Sequence, residues 1–158
     1  MKDFHFKTSQ LLPVPIDRAW SFFSAPQNLA LITPPDMEFN ILTPALSSEI
    51  HEGMLIDYTV KPLFGISLHW QTEIAAVDRP FYFMDKQRKG PYRRWEHLHS
   101  FLDLQGKTLM IDHVTYQIPY GIIGRVANTL LVKKRIETIF RFRRKAITTI
   151  LNNERRNN

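Results

Sequence analysis

The sequence predicts an α+β fold: one curved antiparallel sheet covered by a long C-terminal helix, with two short helices inserted after the first strand. Three observations carry this expectation. From about Met54 to Pro119 the hydrophobic period is two, as in half-buried strands. The links within that stretch, Phe64-Gly65, Arg79-Pro80, Gly90-Pro91 and Gln105-Gly106, are so short that they join antiparallel neighbours. From Gly121 to about Asn152 the period becomes helical. A sheet with one apolar face needs a cover, and the terminal helix is long enough to supply it.

The elements follow in order. Phe4 and Phe6 alternate with His5 and Lys7, so residues 3–11 read as the first strand, stopped by Pro13 and Pro15. Pro15 suits the first turn of a helix, and Ile16, Trp20 and Phe23 share one face of it. Residues 26–32 read as a second short helix, ended by Pro34-Pro35, and residues 37–42 as a short strand. Further strands are expected near 54–62, 66–78, 81–88, 93–104 and 107–118. In the terminal helix, Ile136, Ile139, Phe140, Ala146, Ile147 and Ile150 recur at helical spacing. Arg143 interrupts this stripe, with its stem expected to pack and its head to reach water. The organisation is a single domain over 1–152 with a frayed tail at 153–158.

Composition narrows the function. A chain of 158 residues fits one domain with a core large enough to enclose a pocket. The absence of cysteine excludes disulfides, thiolate metal sites and a cysteine nucleophile, and suits a cytoplasmic location. Neither a signal peptide nor a membrane span is expected. Of the 21 Lys and Arg, nine lie from Lys133 onward beside only two acids, so the body before Lys133 is near neutral despite the net charge of +6. That distribution argues against nucleic acid as a partner, since the basic residues have no aromatic ones interleaved. The basic helix is a solvated face or, alternatively, a peripheral membrane contact in which charge alone attracts anionic lipid.

The hairpin at Gln105-Gly106 sets a register. If those residues form the turn, Phe101 faces Met110, His99 faces Asp112, His97 faces Val114 and Trp95 faces Tyr116, all on one side of the sheet. The reverse side carries Glu96, Leu98, Ser100, His113, Thr115 and Gln117, and is the solvent side. By the same alternation, Phe81 and Phe83 join the inward face from the next strand, then Trp70, Thr72 and Ile74, then Tyr58 and Val60. Asp85 and Gln87 share that parity near the rim. Large apolar walls with few polar groups describe a small-molecule site. The candidate ligand-binding residues are therefore Tyr58, Trp70, Phe83, Trp95, His97, His99, Phe101, Asp112 and Tyr116; each aromatic among them also fits a plain core. His99 with Asp112 either binds a ligand's polar end, moves a proton, or is a structural pair that pins the register. His97 and His99 have the spacing of metal ligands on one strand, but no third ligand follows from spacing, so no metal or other cofactor is expected. His5, His51, His69 and His113 read as surface positions.

Pro13-Val14-Pro15-Ile16-Asp17-Arg18-Ala19-Trp20-Ser21-Phe22-Phe23, Gly90-Pro91-Tyr92-Arg93-Arg94-Trp95-Glu96-His97-Leu98-His99-Ser100-Phe101, Asp112-His113-Val114-Thr115-Tyr116 and Pro119-Tyr120-Gly121 together resemble the START-like superfamily, also called SRPBCC or the Bet v 1-like helix-grip fold. Within it they are similar to a bacterial subgroup of small single-domain proteins labelled ligand-binding or cyclase/dehydrase-like. The resemblance implies a sheet gripping the C-terminal helix around an apolar cavity, with Trp95, His97, His99, Asp112 and Tyr116 lining it, and transfers no catalytic role. Two functions are expected to compete. One is binding of a hydrophobic small molecule or lipid in the cavity; the other is a cyclase- or dehydratase-like activity using His99 and Asp112.

Overall fold

The computed structural model describes residues 2–44 and 46–157. Its sheet contains seven strands in the order β1-β7-β6-β5-β4-β3-β2. They are β1 (Phe4–Leu12), β2 (Asn40–Ile41), β3 (Leu55–Val60), β4 (Leu68–Asp78), β5 (Tyr82–Lys89), β6 (Arg94–Asp103) and β7 (Thr108–Gln117). Every pairing is antiparallel. Helix α1 (Ile16–Phe23) follows β1, and its N-terminal neighbour Pro15 accepts hydrogen bonds from the amides of Arg18 and Ala19. Residues Pro26–Ile32 form a 3₁₀ helix where a short helix was expected. The expected strand at 37–42 is mostly something else: Pro35–Met37 is a 3₁₀ turn, and only Asn40–Ile41 pairs with β3. Prolines 34 and 35 account for this, because they lack the amide a ladder needs.

The register of β6 against β7 is the expected one, with Trp95 opposite Tyr116, His99 opposite Asp112 and Phe101 opposite Met110. Gln105 and Gly106 both have positive φ, 54° and 94°, the geometry of a two-residue hairpin turn that matches strand twist. The Leu104 amide donates to Lys107 O at 2.8 Å to close it. Two register shifts between β4 and β5, at Gln71/Thr72 and Ile74/Ala76, bend the sheet. The bend makes room for the C-terminal helix across the concave face.

That helix starts as α2 (Gly121–Ala127), passes through a π-helical segment at Asn128–Val132, and continues as α3 (Lys133–Asn157). The backbone is thus helical through Asn157; Asn158 lies outside the described residues. One face of α3 buries Ile136, Phe140, Ile147 and Leu151. A first core cluster joins Ile147 and Leu151 to α1 and to Phe83, Phe101 and Met110. A second joins Val132, Ile136 and Phe140 to Val114 and Tyr116. At the π segment, the buried Tyr116 hydroxyl donates to Asn128 Oδ1 at 2.8 Å. Before it, Ile122, Ile123 and Val126 are exposed. No helix among the described residues is long and apolar enough to cross a membrane.

Phe81 corrects the expected inward face: it is 54% exposed. It sits in the turn after the cis Arg79–Pro80 peptide, one residue before β5 begins, so strand alternation does not govern it. Phe83 is buried as expected. Loss of the Tyr116 hydroxyl in Tyr116→Phe leaves the buried Asn128 oxygen without this donor. We expect it to lower unfolding free energy by about 1–3 kcal/mol in urea denaturation; an unchanged midpoint and slope would show that the contact does not anchor the helix.

Candidate functional site

Between the concave sheet face and α3 lies a cavity of about 200 Å³. Helix α1 supplies Phe22 and Phe23 to its wall, the sheet supplies Tyr58, Trp70, Phe83 and Trp95, and α3 supplies Ile139, Phe140 and Arg143. Trp95 crosses Trp70 edge-on at 5.6 Å, and Tyr92 closes on both rings at 4.8 and 5.7 Å. The Trp70 Nε1–H is buried without an oxygen or nitrogen acceptor. Tyr92 is brought there by the β5–β6 turn, where Gln87 Nε2 donates to Tyr92 O at 2.6 Å and the Tyr92 amide donates back to Gln87 Oε1 at 3.2 Å. A Cβ on Gly90 would stand 2.4 Å from Gln87 Oε1, so glycine is what lets this clamp close.

Of the nine residues singled out from sequence, Tyr58, Trp70, Phe83, Trp95, His97 and His99 line the cavity. The other three lie behind the wall. Phe101 is packed under Trp20, Phe23 and Phe83. Tyr116 is stacked on Phe4 and held by Asn128. Asp112 backs the two histidines from β7.

The polar centre is larger than the His99–Asp112 pair expected. His97 Nε2 is hydrogen-bonded to Asp112 Oδ1 at 2.8 Å. His99 Nδ1 lies 3.1 Å from the same oxygen, at an angle too poor for a hydrogen bond. The hydrogen bond of His99 is made instead by Nε2, to Asp85 Oδ2 at 2.8 Å. His97 Nδ1 lies 3.8 Å from that Asp85 oxygen. The two imidazoles stack at 3.7 Å, and Phe83 stacks on the outer face of His99 at 4.1 Å. Asp85 is therefore part of the cluster and not a rim residue. Its place follows from pairing with His97 across β5 and β6, a register that no turn motif in the sequence specifies.

Arg143 is the second correction. Its head is not at the outer surface: the residue is 9% exposed, lies against Phe23 and Phe140 at 6.0 and 5.7 Å, and has no hydrogen-bond partner for Nε. A small void of about 10 Å³, room for roughly one water, lies between Arg143, Asp112, Thr8 and Gln10. The curved sheet brings β7 under this turn of the helix, so a charge that breaks an apolar stripe finds a carboxylate to compensate. That interruption was the signal in the sequence for a polar site residue on the helix.

Burial and charge act in opposite directions on Asp85, Asp112 and His99. Burial raises the Asp85 carboxyl, but the hydrogen bond from His99 and the nearby His97 and Arg143 charges outweigh it and hold the pKa below the ordinary value. Asp112 is likewise lowered, with burial opposed by Arg143 and both histidines. Burial lowers His97, and the charge on His99 lowers it further. His99 is raised: burial works against the cation, but Asp112 and Asp85 prevail. The two shifts run in opposite directions: His97 gives up its proton more readily than a free imidazole and His99 holds its proton more tightly, with a carboxylate on either side of the pair. Asp85, His97 and His99 also each bring one ligand atom within 4.8 Å of the others, so Asp85 is the third donor that spacing alone did not reveal.

These shifts have a sign in pH. The His99 contribution to stability is full below about pH 6.5, its unfolded pKa, and is lost as pH rises through the raised native value. The aspartate contribution is full above about pH 4 and is lost as pH falls through the depressed native values. In chelator-treated protein, an NMR titration is expected to show His99 holding its proton above the ordinary histidine range while His97 stays neutral below it. Asp85→Asn should bring His99 down. Two unperturbed histidine titrations would remove the charge separation.

No protein-family model matches the sequence, and no curated protein matches it. Solved structures do. The chain superposes on an aromatase/cyclase from a Streptomyces species with a TM-score of 0.75 and 14% identity, covering 96% of this chain and 94% of that one. A START superfamily protein from Mycobacterium smegmatis gives 0.71 and 13%, covering 94% and 97%. Norcoclaurine synthase from Thalictrum flavum gives 0.70 and 12%, covering 98% and 97%. At these identities the likeness is one of fold: the chain has the START-like, Bet v 1-like helix-grip architecture.

Proposed function

We propose that the protein binds a hydrophobic small molecule or lipid in the internal cavity, with the ligand's polar end against His97, His99, Asp85 and Arg143. The cavity itself carries this reading. Its walls are aromatic and aliphatic, and its charged groups gather on the side formed by β5, β6 and α3. The structural neighbours named for cyclase or synthase activity favour a second reading in the same cavity, acid–base catalysis of the cyclase or dehydratase kind. There His99 would hold the proton to be given, with Asp112 as its backing charge and the Asp85 hydrogen bond orienting the ring.

A fluorescent apolar probe such as 1-aminoanthracene tests the binding reading. Trp70→Ala should weaken binding about tenfold, since losing about 60 Å² of apolar contact at about 25 cal/mol per Å² is worth that much. Thr115→Val, on the outer face, should leave binding unchanged. Equal affinity in Trp70→Ala and wild type would place the probe elsewhere.

We also propose that the peripheral membrane contact is made by the start of the C-terminal helix, by apolar side chains as well as charge. Ile122, Ile123, Val126 and Leu130 are exposed there, as are Phe64 and Ile66 in the link after β3. The link is tied to the same helix just past this stretch, where Arg135 Nε donates to Pro62 O at 2.8 Å. No acidic residue occurs between Asp112 and Glu137, and Lys133 and Lys134 are exposed without an ion pair among the described residues. Apolar side chains beside unpaired cations fit an anionic lipid surface. Such a face set against its own copy would oppose like charges. Co-sedimentation with phosphatidylglycerol-containing vesicles should weaken with salt and drop in an Ile122→Ser, Ile123→Ser double variant. Equal sedimentation with purely zwitterionic vesicles counts against it.

A further inference from the structure

His97 and His99 each use one nitrogen against Asp112 Oδ1, at 2.8 and 3.1 Å, and turn the other toward Asp85 Oδ2, at 3.8 and 2.8 Å. Metal-binding imidazoles are held in this way: one ring nitrogen meets the ion while the other is backed by a carboxylate that fixes ring orientation. Here one carboxylate, Asp112, backs both rings. Two nitrogens and an oxygen bound to one ion at about 2.1 Å stand roughly 3–3.5 Å apart. The distances of 2.8 and 3.8 Å bracket that spacing, and all three donor atoms fall within 4.8 Å of one another. Asp85, His97 and His99 line the main cavity, whereas Asp112 lies behind them. Open coordination positions on such an ion would therefore face the apolar pocket.

We propose that Asp85, His97 and His99 form a binding site for a divalent first-row transition-metal ion, with Asp112 as the carboxylate that positions both rings. Two imidazoles and one carboxylate suit Fe²⁺, Co²⁺ or Zn²⁺ and do not suit Ca²⁺ or Mg²⁺, which take oxygen ligands. With the ion in place, the two aspartates are matched and the Arg143 charge is left over. The group that the loaded site takes from the cavity is then an anionic oxygen, a carboxylate or an enolate, shared between the ion and the guanidinium. This inference rests on the cavity being the working site, but its test uses metal alone.

Untagged full-length protein, stripped with chelator, is titrated with Co²⁺ and followed by its visible absorption, with Zn²⁺ as competitor. The expected result is one equivalent bound, displaced by Zn²⁺. Asp85→Asn and His97→Gln, checked for folding by circular dichroism, should lose it. Asp112→Asn should weaken it about 10- to 100-fold. The exposed His5 and half-buried His113 rings, 5.5 Å apart, are the competing surface site, so a His5→Asn, His113→Asn variant should bind as wild type does. Absent cobalt absorption, or binding that survives Asp85→Asn and His97→Gln unchanged, overturns the proposal. The aminoanthracene assay on the same samples separates the two claims. Probe binding without metal binding overturns the metal site alone, and metal binding without probe binding overturns the ligand reading alone.

Discussion

The two-residue turn at Gln105-Gly106 holds β6 and β7 in the register on which the polar contacts of the cavity depend. With Leu104 closed onto Lys107, alternation sends Trp95, His97, His99 and Phe101 inward from one strand and Met110, Asp112, Val114 and Tyr116 inward from the other. A slip of one residue would carry both histidines and Asp112 to the outer face and bring Leu98, Ser100 and Thr115 into the core. The turn also places β7 where β1 can pair along its whole length, from Phe4 opposite Tyr116 to Leu12 opposite Thr108.

Charge in so apolar a setting is costly unless it is matched nearby. Here the matching comes from four elements. Asp85 from β5 and Asp112 from β7 flank the histidines of β6, and Arg143 from α3 completes the set. No two of these neighbours are close in sequence except the histidines themselves. The cluster therefore forms only when the sheet has curved and the helix has closed over it, and it ties the two layers of the fold together at the cavity wall.

This explains which parts were legible beforehand. Local signals specify the hairpin, the strand order around it and the covering helix, because a turn, a period of two and a period of 3.6 each act within a few residues. The cavity-facing positions Trp70, Phe83 and Trp95 follow from alternation within their strands. Asp85 was given the right face but the wrong depth, since its distance from His99 depends on the β5–β6 pairing and on the bulges beside it. Phe81 followed alternation one residue too far, into a turn. Arg143 read as a surface-reaching side chain because nothing on its own helix offers a compensating charge; the charge of Asp112 comes from β7, across a small void in the core. Phe101 and Tyr116 share a face with the cavity residues yet do not line the space: Phe23 and Phe83 cover Phe101, and Tyr92 and Trp95 stand between Tyr116 and the cavity. Parity gives the side of a sheet, while packing decides what reaches the space.

An apolar ligand in the space beneath the helix should travel with the protein through purification. Native mass spectrometry of freshly purified protein, with extraction and identification of whatever travels with it, tests this most directly when wild type is compared with Val60→Phe, which narrows the cavity. A discrete small molecule retained by wild type and lost from Val60→Phe is the predicted result. The same molecule kept equally by both proteins would mean that it does not sit in the cavity.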